Sequence, residues 1–211
     1  MDKIVLGNIS SNIVLIQPID DFDLKNLNSE YELIKENTNV DFILIAIKVK
    51  NRNSDLSPWG APAGIVNERF DGYADNFLKE ITRISSDKNK TYIIGGYSLA
   101  ALFSLWASYK SDSFIGVAAA SPSIWFPSFI DFMKENQTNA KCIYLSLGDK
   151  EDRSKNKTLS TVKEKIIEAH NILKSQNIEV SLEWNEGNHF KDPHIRTAKA
   201  FTKIINNLKR N

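Results

Sequence analysis

A serine lies between small residues at the point where an apolar, strand-like run meets an apolar helical pattern. Ser98 stands in the segment Gly95-Gly96-Tyr97-Ser98-Leu99-Ala100, directly after the run Tyr92-Ile93-Ile94. A nucleophilic serine on a tight strand-to-helix turn holds a strained backbone, and small residues two before and two after it avoid clashes. Gly96 and Ala100 meet that need. The pattern predicts Ser98 as a nucleophile, with a simple helix N-cap as the alternative.

The predicted turn also brings a backbone donor next to Ser98. At the start of a helix the first N–H groups have no intrahelical partner, and the helix dipole favours negative charge there. The N–H of Leu99 is therefore expected to donate to an oxyanion formed on a substrate.

Three histidines are available as a base for Ser98. His189 follows a predicted strand and precedes the last predicted helix, so it lies at the carboxyl end of a strand, where catalytic groups collect in open α/β sheets. His170 falls within a helical pattern and is expected to be structural. His194 follows an Asp-Pro pair, which is typical of a helix start. His189 is the predicted base.

A carboxylate to orient the base is expected in the loop after the strand predicted over residues 141–147. Three compete there, Asp149, Glu151 and Asp152. Their spacing alone leaves the choice open. At least two of them are expected to belong to a solvated turn, paired with the neighbouring basic residues.

Strands and helices alternate along the chain and would position these groups. The predicted strands are apolar along their whole length, which is typical of a parallel sheet covered by helices on both faces. The sequence therefore predicts a doubly wound α/β fold. The predicted strands cover residues 13–16, 41–49, 91–94, 114–120, 141–147 and 178–184, and the predicted helices cover residues 23–39, 73–84, 99–109, 159–174 and 194–208.

Two long connections, residues 50–72 and 121–139, are rich in Trp, Pro and Phe. Trp59 and Trp125 lie on them, at the carboxyl ends of predicted strands. Together with Tyr97, beside the serine, they are expected to shape a substrate pocket. Ordinary hydrophobic cover is the alternative for the two tryptophans.

Composition excludes several classes of function. The 211 residues carry a net charge of only +1, so no strong field would attract nucleic acid or an anionic membrane surface. A single cysteine, Cys142, excludes an intrachain disulfide and the paired-Cys metal patterns. The sequence lacks a secretory h-region and a membrane-length apolar stretch. We expect one domain over residues 1–211, in the cytoplasm, without a metal or organic cofactor.

Several separated segments together resemble the bacterial esterase-D and enterochelin-esterase-like branch of the α/β-hydrolases. They occur in the same order as in that family, from about Ile13 to the C-terminus. The segments are Ser57-Pro58-Trp59, Gly95-Gly96-Tyr97-Ser98-Leu99-Ala100, Ala120-Ser121-Pro122-Ser123-Ile124-Trp125, Leu145-Ser146-Leu147-Gly148-Asp149-Lys150-Glu151 and Gly187-Asn188-His189-Phe190.

The resemblance implies an α/β-hydrolase fold without a large lid domain, and hydrolysis of a small carboxylic ester or thioester through an acyl-enzyme. The order Ser98, acid, His189 is the order of that fold. In the family the acid stands three residues after the glycine that closes its strand, which here selects Glu151. A second oxyanion donor would follow the first strand; because a proline there has no N–H, Ile19 or Asp20 would supply it.

Two other functions stay open at this point. A protein can keep the hydrolase fold without activity and act as a binding protein, because fold alone does not guarantee function. The same three residues could also transfer an acyl group to an acceptor other than water, or cleave a peptide bond.

Overall fold

A seven-stranded sheet forms the centre of the structure, a computed structural model that describes residues 2–62 and 69–208. The strand order is β1-β3-β2-β6-β7-β8-β9, and all neighbours are parallel except β1, which is antiparallel to β3. Strands β4 and β5 form a separate two-stranded ribbon. The strands are β1 (Lys3–Gly7), β2 (Ile13–Ile19), β3 (Ile43–Lys48), β4 (Gly60–Ala61), β5 (Phe70–Asp71), β6 (Thr91–Tyr97), β7 (Phe114–Ala120), β8 (Cys142–Gly148) and β9 (Glu179–Asn185).

Helices cover both faces of the sheet. They are α1 (Asp21–Leu24), α2 (Leu27–Glu36), α3 (Arg52–Asp55), α4 (Ala74–Ile84), α5 (Leu99–Lys110), α6 (Phe129–Glu135), α7 (Val162–Ser175) and α8 (Pro193–Leu208), with short 3₁₀ turns at Glu151–Arg153 and Leu159–Thr161. Helices α4 to α7 contribute to one hydrophobic cluster, and α2 and α8 contribute to a second.

Successive side chains of the central strands contribute alternately to the two clusters. In β2, Val14 and Ile16 belong to the cluster under α5, whereas Leu15 and Ile19 belong to the cluster under α8. Successive side chains of a strand point to opposite faces, so a strand that is apolar throughout is buried on both. The prediction of a doubly wound, mostly parallel sheet is confirmed.

The first central strand is longer than its sequence predicts, because it continues through Pro18. The carbonyl of Ile19 accepts a hydrogen bond from Val49 N at 2.9 Å, so the backbone of Ile19 faces β3. The backbone of Pro18 consequently faces β6, where pairing has already ended at Ile16 and Ile94. A proline is tolerated there because no ladder donor is missing.

The helix predicted over residues 23–39 is divided into α1 and α2. Asp20 is the cap of α1: its Oδ1 accepts from the N–H groups of Phe22 and Asp23, and Asp23 Oδ2 accepts from Asp20 N. This capping box closes a single turn, which ends before the chain starts α2 at Leu27.

Several elements lie outside the predicted pattern. The edge strand β1 was not predicted, and the two long connections contain α3, α6 and the β4–β5 ribbon. No helix within residues 2–62 and 69–208 is long and apolar enough to cross a membrane. The expectation of one domain over residues 1–211 stays a prediction.

Candidate active site

Ser98 occupies a sharp turn between β6 and α5. Its φ of 57° and ψ of −118° lie in a region that L-residues rarely adopt. Ser98 N donates to Ala120 O on β7 at 3.1 Å, which anchors the turn to the sheet. A Cβ added to Gly96 would lie 2.9 Å from Ala100 Cβ. The turn therefore has the strained backbone and the close small-residue contact that the sequence predicts.

The structure brings Ser98, His189 and Glu151 together. His189 Nε2 lies 3.0 Å from Ser98 Oγ, and His189 Nδ1 lies 2.7 Å from Glu151 Oε2. The three side chains follow β6, β8 and β9, whose carboxyl ends meet at one edge of the sheet. With the proton on Nδ1, the imidazole can accept the serine proton while the carboxylate fixes its tautomer.

The three candidate carboxylates have different partners. Glu151, whose side chain is 3% exposed, contacts His189. Asp149 Oδ1 instead accepts from Gly187 N at 2.7 Å and shapes the loop. Asp152 Oδ2 lies 3.7 Å from Lys163 Nζ in a partly exposed ion pair. Among these three, geometry favours Glu151 as the partner of the base.

Glu151 is held in its charged form by hydrogen bonds. Its Oε1 accepts from Gly148 N at 2.7 Å, Ser121 Oγ at 2.9 Å and Arg196 Nη1 at 2.9 Å. Burial raises the pKa of the Glu151 carboxyl, but hydrogen bonds from His189, Gly148 and Ser121 outweigh burial and leave the pKa below its usual value. The carboxylate is therefore negative at neutral pH.

Arg196 is a residue of the site that sequence reasoning missed. Its side chain, on α8, is 4% exposed. Nη2 donates to Glu186 O at 3.1 Å and to Asn188 O at 3.0 Å, both in the loop that carries the base. The signal was present: Arg196 lies one turn before Ala200, on the buried face of α8. A charge on such a face needs buried partners.

Tyr97 lies behind the base. Its hydroxyl donates to His189 O at 2.8 Å and accepts from Arg196 Nη1 at 3.1 Å. Burial, followed by the charge of Glu151, raises the pKa of Tyr97 to about 12. The phenol therefore stays protonated and steadies the loop that carries His189. Tyr97 is not among the residues that line the cavity beside Ser98, and its expected part in shaping a substrate pocket stays a prediction.

A cavity of about 550 Å³ opens beside Ser98. Trp125 lines it, as expected from the sequence. Trp59 does not: its Nε1 donates to Pro127 O at 3.0 Å, and its ring packs on those of Phe126 and Phe129. Trp59 is hydrophobic cover. The cavity is lined by Ser98, Pro122, Trp125, Lys150, Glu151, Arg153, Ser154, Leu159, Val162, Asn188, His189 and Phe190.

Backbone donors near Ser98 match the expectation only in part. Within the described residues, no hydrogen bond engages the N–H of Leu99, the first residue of α5. The N–H of Asp20 is already donated to Asp23 Oδ2 at 3.2 Å, and the backbone of Ile19 faces β3. Neither expected second donor is therefore free in this arrangement.

A second hydroxyl, which sequence reasoning did not single out, lies next to the candidate nucleophile. Ser123 Oγ is 3.2 Å from Ser98 Oγ, and Ser123 N donates to Ser98 O at 3.1 Å. Because Ser98 can donate its proton to His189, Ser123 can donate to Ser98 Oγ.

Other features of the described residues do not converge on Ser98. No group of three or more His, Cys, Asp or Glu side chains in residues 2–62 and 69–208 could hold a metal ion. A larger cleft of about 720 Å³ is lined mainly by charged residues from the ends of β2 and β3 and from α3 and α4, and Ser98 does not line it. The hydrogen-bonded serine, histidine and glutamate are the groups arranged for nucleophilic chemistry.

Comparison with known proteins gives a clear result for the fold. Neither a protein-family model nor a curated protein sequence matches this chain. Among solved structures, the siderophore hydrolase EstA from Aspergillus nidulans superposes with a TM-score of 0.68 at 19% identity, covering 98% of this chain and 89% of that one. An IroE-like serine hydrolase from Shewanella oneidensis superposes with a TM-score of 0.76 at 14% identity, covering 97% of this chain and 75% of that one.

The enterobactin esterase FES from Shigella flexneri gives a TM-score of 0.67 at 12% identity and covers 98% of this chain, which spans 55% of that protein. At such identities the likeness establishes the fold. The protein has the α/β-hydrolase fold, and no large lid domain is inserted among the described residues. These neighbours fit the resemblance to the enterochelin-esterase-like branch.

Proposed function

We propose that this α/β-hydrolase-fold protein is a serine hydrolase that cleaves a carboxylic ester or thioester of a small molecule. One observation carries the proposal: a continuous hydrogen-bonded series joins Ser98 Oγ, the His189 imidazole and the Glu151 carboxylate beside an open cavity. Proteins described as a siderophore hydrolase, an enterobactin esterase and a serine hydrolase share the fold, which supports the same reaction class.

In the proposed reaction Ser98 Oγ attacks the ester carbonyl while His189 Nε2 takes its proton. Glu151 offsets the charge of the imidazolium, and the N–H of Leu99 donates to the tetrahedral oxyanion. Collapse of the tetrahedral intermediate breaks the bond to the alcohol or thiol, and this leaving group receives the proton from His189. His189 then takes a proton from a water molecule, which attacks the acyl-enzyme. The acid is released, and Ser98 is restored with the proton that His189 returns.

The cavity limits the size and polarity of the group that is bound. Its volume of about 550 Å³ suits a small ester. Trp125, Leu159 and Val162 supply apolar surface, against which an acyl chain or ring can be buried. The polar ester then faces Ser98 and His189.

A test combines short p-nitrophenyl esters with labelling by a fluorophosphonate, which reacts with activated serines. We expect Ser98→Ala to abolish labelling and to lower kcat/KM by at least about 10⁴-fold, because the nucleophile is lost. Ser104→Ala removes another buried hydroxyl on α5, one that bonds Ala100 O, and should leave both readouts unchanged.

Equal hydrolysis and labelling in wild type and Ser98→Ala would exclude the proposal. A folded wild type that neither labels nor hydrolyses any ester would indicate a binding protein on the same fold. Product analysis with added alcohols or amines separates hydrolysis from acyl transfer, because a transferase forms the new ester or amide in place of the acid.

A further inference from the structure

The guanidinium of Arg196 joins the three segments that carry the candidate catalytic groups. It reaches the acid directly, through Nη1 to Glu151 Oε1 at 2.9 Å. It holds the loop of the base through Nη2, which donates to the carbonyls of Glu186 and Asn188. It reaches the residue before Ser98 through Nη1 and the Tyr97 hydroxyl, at 3.1 Å.

The Glu151 carboxylate lies between the guanidinium of Arg196 and the imidazole of His189. Oε1 faces Arg196, whereas Oε2 faces His189. A proton taken up by the imidazole is attracted by the carboxylate and repelled by the guanidinium. Both side chains of the ion pair are 4% exposed or less, so water screens this repulsion weakly.

Other charged groups face the site from more exposed positions. Lys150 and Arg153 line the cavity from the loop after β8 and are exposed. Glu186, on the loop of the base, is paired with Lys191 at 3.0 Å. Of the described cations, Arg196 is the one hydrogen-bonded to Glu151, so its charge acts on the pair most directly.

We propose that Arg196 is a positioning residue that locks the acid and base loops together and offsets part of the charge of the Glu151 carboxylate beside the base. The inference rests on the proposed function of Ser98, His189 and Glu151. Two consequences can be separated. The charge of Arg196 sets the pH at which activity falls on the acid side. Its two guanidinium nitrogens, which hold the acid and the loop of the base at the same time, set the maximal rate.

The test measures the second-order rate constant of fluorophosphonate labelling across the acid and neutral pH range, which needs no knowledge of the natural substrate. In Arg196→Met the charge is lost, and we expect the midpoint of the acid limb to rise by about one pH unit. In Arg196→Lys the charge remains but one nitrogen cannot hold both Glu151 and the Asn188 carbonyl. We expect an unchanged midpoint and a lower maximal rate.

A matched control comes from the far part of the same helix. Ile204 is fully buried and lies against Gly116, at the opposite end of the sheet. Ile204→Val should lower stability while leaving the midpoint and the maximal rate of the folded enzyme unchanged. Thermal unfolding of every variant shows how much of each effect is loss of folded protein.

Two outcomes overturn the inference: an unchanged midpoint in folded Arg196→Met, or a midpoint in Arg196→Lys that moves as it does in Arg196→Met. If Arg196→Met does not fold, Arg196→Lys alone decides, because a moved midpoint contradicts the assigned role of the charge. Failure here is distinct from failure of the proposed function, in which Ser98→Ala would be labelled like the wild type.

Discussion

Glu30 and Glu151 are both buried, yet their surroundings stabilise opposite protonation states. Glu151 meets three donors at one oxygen and an imidazole at the other. Glu30, on α2, is 3% exposed, and its Oε1 has no hydrogen-bond partner. Burial raises the pKa of Glu30 well above its usual value, although a hydrogen bond with Gln17 opposes this. There is therefore a pH range in which the Glu30 carboxyl is neutral while the Glu151 carboxyl is charged.

Glu30→Gln is expected to stabilise the protein at neutral and alkaline pH. The raised pKa of Glu30 means that its contribution to the free energy of unfolding is fully present below the unfolded-state pKa and is lost as pH rises through the folded-state pKa. A neutral amide avoids that loss and can donate to the unpaired Gln17 Oε1. Urea unfolding at several pH values measures the effect, and the gain should shrink towards acid pH.

Glu32→Gln provides the control for this experiment. Glu32 lies on the same helix, is exposed, and is 3.6 Å from Lys35 in an i,i+3 pair. An exposed pair of this kind contributes less than about 1 kcal/mol, so we expect little change in stability at any pH. A gain in Glu30→Gln that is equal at acid and alkaline pH would contradict the role assigned to its titration.

Residue types decided how much of the site could be predicted. Ser98 could be found because a nucleophile on such a turn requires small residues around it. His189 could be found because the chain has only three histidines that could serve as the base. Glu151 could not be separated from its two neighbours by spacing, and the resemblance was needed. Arg196 leaves one local signal, a charge on the buried face of α8. The partners of Arg196 and Ser123 come from distant strands and loops, and local sequence does not identify them.

At the scale of the element, the turn at Ser98 depends on the contact between Gly96 and the first turn of α5. We expect Gly96→Ala to lower the labelling rate more than it lowers stability. A Cβ placed 2.9 Å from Ala100 Cβ forces the helix start, and with it the N–H of Leu99, away from its position. Fluorophosphonate labelling and thermal unfolding of the same sample compare the two effects.

Gly60→Ala is the matched substitution outside the site. A Cβ at Gly60 would meet its nearest neighbour, Phe70 O, at 3.7 Å, which is ordinary contact. Unchanged labelling is expected. Full activity in Gly96→Ala would mean that the turn tolerates a displaced helix, and the steric basis for choosing Ser98 would fail.

Helices and strands were predicted well wherever a segment has a single pattern of apolar residues, either helical spacing or a continuous apolar run. The helix predicted over residues 99–109 and the strand over residues 114–120 agree closely with α5 and β7. The division between α1 and α2 could not be foreseen, because apolar residues continue at helical spacing across it. Arg52 holds Asp20 at 3.0 Å and Asp23 at 2.9 Å, and this long-range contact supports the short capped turn.

At the scale of the whole molecule, two hydrophobic clusters on opposite faces of the sheet supply most of the buried apolar surface. Trp106, on α5, is 2% exposed and stacks obliquely on Phe103 with ring centroids 5.8 Å apart. We expect Trp106→Ala to lower the free energy of unfolding by about 3 to 5 kcal/mol, because it leaves a large cavity. Urea unfolding measures the loss.

Trp184→Ala gives the comparison at the sheet edge. Trp184, on β9, is 44% exposed and has Lys163 Nζ 5.8 Å from its ring centroid. Its removal is expected to cost less, about 1 to 3 kcal/mol, because a large part of the residue is already exposed. Comparable losses in the two variants would show that the cluster under α5 is not a main source of stability.

The position of α8 has a consequence for how the protein is made. A ribosome delivers residues in order, so Ser98 and Glu151 emerge well before His189 and Arg196, and Ser98 lies 91 residues ahead of the base. The nascent chain then carries a hydroxyl and an acid with no base between them. In the proposed reaction the chemistry starts only when the loop between β9 and α8 has placed His189 between Ser98 and Glu151, so a chain released before that loop is made is inert as a catalyst.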